Sequence, residues 1–168
     1  RHGYRAFYRS DMGHSEEVVL GPREYRNLPF NPGDLTMNKQ FRNTINALCQ
    51  AAYDNSRLKG FHGPYTAVEE MYENEGLSNI RRSMLINHLD QACMARIMGE
   101  VGEAVEAMRH GNPPSEKAEG HSHVEEELAD TLIRIFDFAG MKGWDLGAAV
   151  VKKMEYNSGR PFMHGKNS

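Results

Sequence analysis

Cysteine is scarce in this chain, and long apolar runs are missing. The two cysteines, Cys49 and Cys93, stand far apart without the spacing of a zinc knuckle or a redox pair, which leaves no disulfide framework to hold a fold. Each falls in an apolar helical pattern, so buried free thiols in a reducing compartment are expected. No stretch approaches the roughly 18 consecutive apolar residues of a membrane span, and the N-terminus has no apolar signal core. A cytoplasmic protein without a membrane partner is the expectation. Excess positive charge is missing too: 20 Lys and Arg stand against 23 Asp and Glu, for a net charge of −3 and a pI near 6.3. Without a basic stripe to neutralise a phosphate backbone, nucleic acid is not an expected partner. The sequence also shows no strand pattern, internal repeat or low-complexity tract.

What is present reads as helix. With 168 residues, 26% charged and only 39% apolar, the chain fits one domain plus an appendage. That composition suits helices sharing a core with a second subunit, so a homodimer or homotetramer is expected. Residues 1–36 carry Arg, Tyr, Gly and Pro without sustained periodicity and end in the breakers Leu28-Pro29-Phe30-Asn31-Pro32-Gly33-Asp34. They are expected to be an irregular arm, either an ordered extension or sequence ahead of an internal start at Met37. Residues 37–168 form the helical domain.

Within it, Ile45, Leu48, Cys49, Ala52 and Tyr53 mark a first helix from Phe41. Lys59-Gly60 stops it, and Phe61-His62-Gly63-Pro64 turns the chain. A short helix is expected over 67–72. A long one follows from Ile80 to Met108, burying Leu85, Leu89, Met94, Ile97, Val101, Ala104, Val105 and Met108, with Asn112-Pro113-Pro114 as its stop. Ser122, with Glu125 three residues on, caps the next helix, which buries Val124, Leu128, Leu132, Ile135, Phe136 and Ala139 and closes at Gly140 to Gly143. Leu146 to Tyr156 make the last.

Two acidic pairs stand out. Glu100 and Glu103 are three residues apart, which puts both side chains on one helix face, about 5–6 Å apart at Cβ. Glu127 and Asp130 repeat the spacing on the next helix. A single Pro/Gly-rich turn separates the two helices, so they are antiparallel neighbours and the four carboxylates converge. Apolar residues flank both pairs. Clustered like charges in so dry a place raise one another's pKa unless a cation joins them. Mg²⁺, which prefers hard oxygen donors, suits a carboxylate set without histidine, and Mn²⁺ is a natural substitute. A di-iron bundle would need Glu-x-x-His, which neither pair supplies. His121 and His123 form an HxH pattern, but it lies in a Gly-rich stretch without a third imidazole nearby, and a solvated loop is expected there.

These motifs resemble the MazG-like, all-α NTP pyrophosphohydrolases, which carry an ExxE and an ExxD pair on consecutive helices. The match lies in Gly99-Glu100-Val101-Gly102-Glu103-Ala104, in Glu125 to Arg134, and in Lys153-Met154-Glu155-Tyr156-Asn157-Ser158-Gly159-Arg160-Pro161, similar to a K-M-x-x-N-x-x-R ending. It covers 94–166 well and 37–60 weakly. The resemblance implies an antiparallel helical bundle completed by oligomerisation. It also implies Mg²⁺ on Glu100, Glu103, Glu127 and Asp130, with Lys153, Asn157 and Arg160 on the nucleotide. Arg134 is a further phosphate cation in this reading. Phe61 falls where the family places an aromatic near the base, and it either stacks there or is plain core.

The implied reaction is hydrolysis of a (deoxy)nucleoside triphosphate to monophosphate and pyrophosphate by water attacking the α-phosphorus. Glu100 and Glu103 are the catalytic carboxylates, and one carboxylate of the cluster, Glu100 or another, serves as general base. Hydrolysis of a related nucleotide such as phosphoribosyl-ATP, and a non-catalytic Mg²⁺/nucleotide-binding module, remain open alternatives.

Overall fold

The computed structural model describes residues 4–9, 15–20 and 35–160. Five helices make up 35–160: α1 Leu35–Leu58, α2 Gly63–Asn74, α3 Asn79–Arg109, α4 His123–Met141 and α5 Leu146–Ser158. The all-α expectation therefore holds for the stretch that carries the acidic motifs. Among the described residues no helix is long and apolar enough to cross a membrane.

Strands β1 Tyr4–Arg9 and β2 Ser15–Leu20 pair antiparallel, with Tyr4 opposite Leu20 and Arg9 opposite Ser15. Aromatic and β-branched residues favour the pleated state over irregular chain. The breakers at 28–34, apart from any strand, lie outside the described residues, as does the tail beyond Arg160.

The chain forms two compact units, 1–42 with 149–168, and 43–148. In the first, Asn38 on α1 is buried and its Nδ2 donates to Glu155 Oε1 on α5 at 3.1 Å. The expected boundary at 36/37 falls inside that unit.

The second unit is built around the α3/α4 pair. Asp90 meets Lys142 at 2.6 Å, Glu100 meets Arg134, and the Asn112 side chain accepts from Val124 N–H at 3.0 Å. Rising numbers on α3 meet falling numbers on α4, so the helices run antiparallel as expected. Gly111 and Asn112 take left-handed φ values of 80° and 51° and reverse the chain after α3. At the start of α4, Ser122 and Glu125 form a full capping box: Ser122 Oγ accepts from Glu125 N–H at 3.3 Å while Ser122 N–H donates to Glu125 Oε2 at 2.8 Å.

Helix α2 is longer than 67–72 because Pro64, read as a turn residue, sits in its first turn, where a missing N–H costs nothing. Arg82 on α3 holds it by donating to both oxygens of Glu69 at 2.7 and 2.9 Å. α1 packs on α4 at Gly140, and Cys49, Phe138 and Ala139 are buried with it.

One apolar stripe departs from expectation. Ala104 is buried, but Leu85, Met94, Val101, Val105, Met108, Leu128 and Leu132 are exposed. The helical periodicity holds, yet the described residues do not cover that face.

Candidate metal centre and adjoining cavity

Helix registry sets the acidic positions before any tertiary contact. Glu100 is one helical turn from Ala104 and nearly two from Ala107, and all three are buried. The small alanines let α4 approach closely, which brings its facing carboxylate into range. On α4 the capping box fixes the first turn, and that places Glu127 one turn after His123 on the inner face.

The result is a cluster in which one oxygen each of Glu100, Glu103 and Glu127 lies within 4.8 Å of the others. Glu127 is the most buried large side chain of the described residues, at 2% exposure. Burial pushes its carboxyl above the usual carboxylate range. A hydrogen bond shared with Glu100 and the nearby charges of Glu103 and Glu100 push the same way, against the hydrogen bond from His123. His123 Nε2 stands 2.9 Å from Glu127 Oε1, and Arg134 reaches Glu100 Oε1 through both Nε and a terminal nitrogen.

These donors fit a hard cation. They are oxygens, they come from two facing helices, and their mutual repulsion is relieved by positive charge. A second convergence, of His123, Glu126 and Glu127, fits less well. Glu126 is already held by Ser115 Oγ at 2.6 Å and Lys117 Nζ at 2.8 Å.

A cavity of about 270 Å³ adjoins the cluster, with Asp130 and Arg134 in its wall. Its other walls come from the end of α1, the start of α2, and α3: Phe61, His62, Tyr65 and Arg96 among them. Phe61 is 71% exposed, which rules out its reading as plain core. His62 stacks on Tyr53 at 5.0 Å between ring centroids, and its Nε2 lies 2.9 Å from Asp137 Oδ1. Its Nδ1 is buried without a hydrogen-bond partner. Burial, followed by hydrogen bonds to Cys93 and Asp90, pushes the Tyr65 phenol above its ordinary range, so it stays protonated and donates to Asp90 Oδ1 at 2.9 Å.

Three of the four expected ligands thus come together, while the fourth, Asp130, is half-buried on the cavity wall and outside the close trio. Arg134 and Phe61 are at the cavity. Lys153, Asn157 and Arg160 belong to the other compact unit and are exposed there, with Lys153 and Arg160 over the Tyr156 ring at 4.8 and 5.8 Å.

The sequence reading overlooked His62 and Arg96 and placed His123 in a solvated loop. His123 is instead the first residue of α4. Its i, i+4 spacing to Glu127 was available as a signal once the Ser122 cap was taken to start the helix. His62 carried no such signal, since its partners Tyr53 and Asp137 are distant in sequence.

Residues 89–160 match the family model described as the MazG nucleotide pyrophosphohydrolase domain, a stretch that contains all four acidic positions. The chain matches no curated protein and no solved structure.

Proposed function

We propose that this chain, which carries a MazG nucleotide pyrophosphohydrolase domain over residues 89–160, hydrolyses nucleoside or deoxynucleoside triphosphates to monophosphate and pyrophosphate with Mg²⁺, or Mn²⁺ in its place. The observation that carries this reading is the convergence of Glu100, Glu103 and Glu127 beside a cavity whose wall includes Asp130 and Arg134, the latter in contact with Glu100.

Glu100, Glu103 and Glu127 hold the cation, and Asp130 joins them from the cavity wall. Bound there, the ion supplies charge neutralisation at the phosphates and polarises a water. Glu103, exposed where Glu100 and Glu127 are buried, is the member of the trio that solvent reaches. It takes the proton as water adds in line to the α-phosphorus and the bond to the bridging oxygen breaks, releasing pyrophosphate. Arg134 and Arg96, which both line the cavity, meet the phosphate charge. The base enters the cavity against Phe61.

A homodimer or homotetramer completes the molecule. Met94, Met98, Val101, Val105 and Met108 recur at alternating spacings of four and three along α3, and all are exposed. Such a seam is what a second helix pair covers.

The test is a panel of the eight common NTPs and dNTPs plus phosphoribosyl-ATP, with Mg²⁺, with Mn²⁺ and with EDTA, products resolved by chromatography. Monophosphate and pyrophosphate, abolished by EDTA and by Glu127→Gln, are expected. Diphosphate and orthophosphate would move the attack to another phosphorus, and turnover that survives EDTA would remove the metal from the reaction.

A further inference from the structure

The contact between Arg134 and Glu100 joins the two halves of the site. Arg134 is on α4, one turn after Asp130, and both residues line the cavity. Its guanidinium reaches the acidic cluster, where Nε and a terminal nitrogen both engage Oε1 of Glu100. That oxygen belongs to a carboxylate that is 7% exposed and that contributes to the three-oxygen cluster. The arginine side chain itself is 43% exposed. One end of the pair is therefore fixed in the protein and the other is free to turn towards solvent and the cavity.

A carboxylate oxygen that accepts two guanidinium donors has little lone-pair density left for a metal ion, and the two cations repel at so short a separation. Arg134 and a divalent cation are thus rivals for Glu100. Two nearby groups differ from Arg134. His123 meets Glu127 Oε1 through Nε2 alone, and Arg96 lines the cavity and donates to Cys93 Sγ at 3.5 Å.

We infer that Arg134 is a positioning residue that exchanges partners: it holds Glu100 until a divalent cation claims the oxygen, and its guanidinium then turns into the cavity to receive a phosphate. This rests on the reading of the trio as a metal centre. The consequence is linkage. Metal binding releases a phosphate-binding cation, and a phosphate that captures Arg134 clears Glu100 for the metal. Each ligand therefore strengthens the other by the same factor. The residue keeps the buried carboxylate neutralised at every stage, because one cation leaves as the other arrives.

The inference predicts opposite signs from one substitution. Arg134→Gln removes the rival, so Mn²⁺ alone, measured by the electron paramagnetic resonance of the free ion, binds about three- to fivefold more tightly than to the wild type, the upper end of what displacing a half-exposed ion pair is worth. The same variant binds inorganic tripolyphosphate in excess Mg²⁺ at least about fivefold more weakly by calorimetry. Arg134→Lys, which keeps the charge but not the two-nitrogen grip, falls between. Arg96→Gln, which removes a cavity guanidinium that does not touch the cluster, changes Mn²⁺ affinity by less than about twofold. Thermal melts in EDTA verify that each variant is folded.

Unchanged or weaker Mn²⁺ binding by Arg134→Gln overturns the rivalry, and tighter Mn²⁺ with unchanged tripolyphosphate binding overturns the exchange of partners. Failure of the wild type to bind Mn²⁺ overturns the metal centre itself and the inference with it. Glu127→Gln separates these cases: loss of Mn²⁺ binding there, with no gain in Arg134→Gln, leaves the metal centre standing and removes only the role of Arg134.

Discussion

Gly140 offers a test in which two physical readings of one residue differ in sign. As the penultimate residue of α4, its replacement by alanine gains at most about 1 kcal/mol of helix propensity. As a point of close approach, it has no room for a methyl. A Cβ built there lies 2.5 Å from the Cys49 carbonyl oxygen, 2.8 Å from Tyr53 Cβ and 3.1 Å from the Cys49 carbonyl carbon. These atoms cannot rotate away, so α1 and α4 must separate by several tenths of an ångström along their contact. Overpacking of this kind costs about 1–3 kcal/mol, and backbone contacts so short put Gly140→Ala at the upper end. After the propensity gain the net loss is about 2 kcal/mol, a fall in Tm of about 4–8 °C for a chain of this size.

The control is Gly99→Ala or Gly102→Ala on α3, where a Cβ meets nothing within 4 Å. Each of these is expected to raise Tm by about 2 °C, from the propensity term alone. Melts by circular dichroism at one protein concentration, in EDTA, make the comparison. An unchanged or raised Tm for Gly140→Ala would refute the close-packing argument and leave Gly140 as an ordinary helix terminator. Tyr53 also backs the His62 ring at the cavity, so the same variant is expected to raise the substrate KM.

The capping box of α4 has a sign in pH. The Ser122 backbone N–H, then its hydroxyl, then His121, hold the Glu125 carboxyl at about 2, below its ordinary 4.5. A depressed carboxylate contributes stability above its unfolded pKa and loses it as pH falls through the folded one. The Tm gap between wild type and Glu125→Ala is therefore expected to be constant above about pH 5 and to close between pH 4.5 and about 2. Ser122→Ala costs about 1 kcal/mol at neutral pH, and a gap that widened on acidification would contradict the capping account. At the exposed seam, Val101→Glu or Leu132→Glu is expected to reduce the mass seen by light scattering towards the 19.0 kDa of one chain; an unchanged mass would mean that no partner copy covers that face.

Local signals settled much of this protein in advance. Helix positions followed from apolar periodicity and from breakers whose effect is confined to a few residues, and the Ser122/Glu125 cap was readable because all its partners lie within one turn. The ExxE and ExxD spacings fixed which carboxylates share a helix face, and the short Pro/Gly turn between them fixed that the faces meet. Those are consequences of backbone geometry at short range. The sequence alone misread Pro64 as a turn, because a residue that breaks a helix in one context opens one in another; α4 does close within Gly140 to Gly143, but the close packing at Gly140 had no local signal.

Tertiary structure alone decided which side chains touch. It put Arg134 on Glu100, His123 on Glu127 and His62 between Tyr53 and Asp137, and it set Asp130 on a cavity wall outside the trio. It also left five of the eight apolar positions expected in the α3 stripe exposed among the described residues, though the period alone marks every apolar position as core. The physical reason is common to all of these. Periodicity specifies a direction around a helix axis, whereas contact depends on the separation and rotation of two helices, which are set by the sizes of residues such as Ala104, Ala107 and Gly140 at the places where the helices meet.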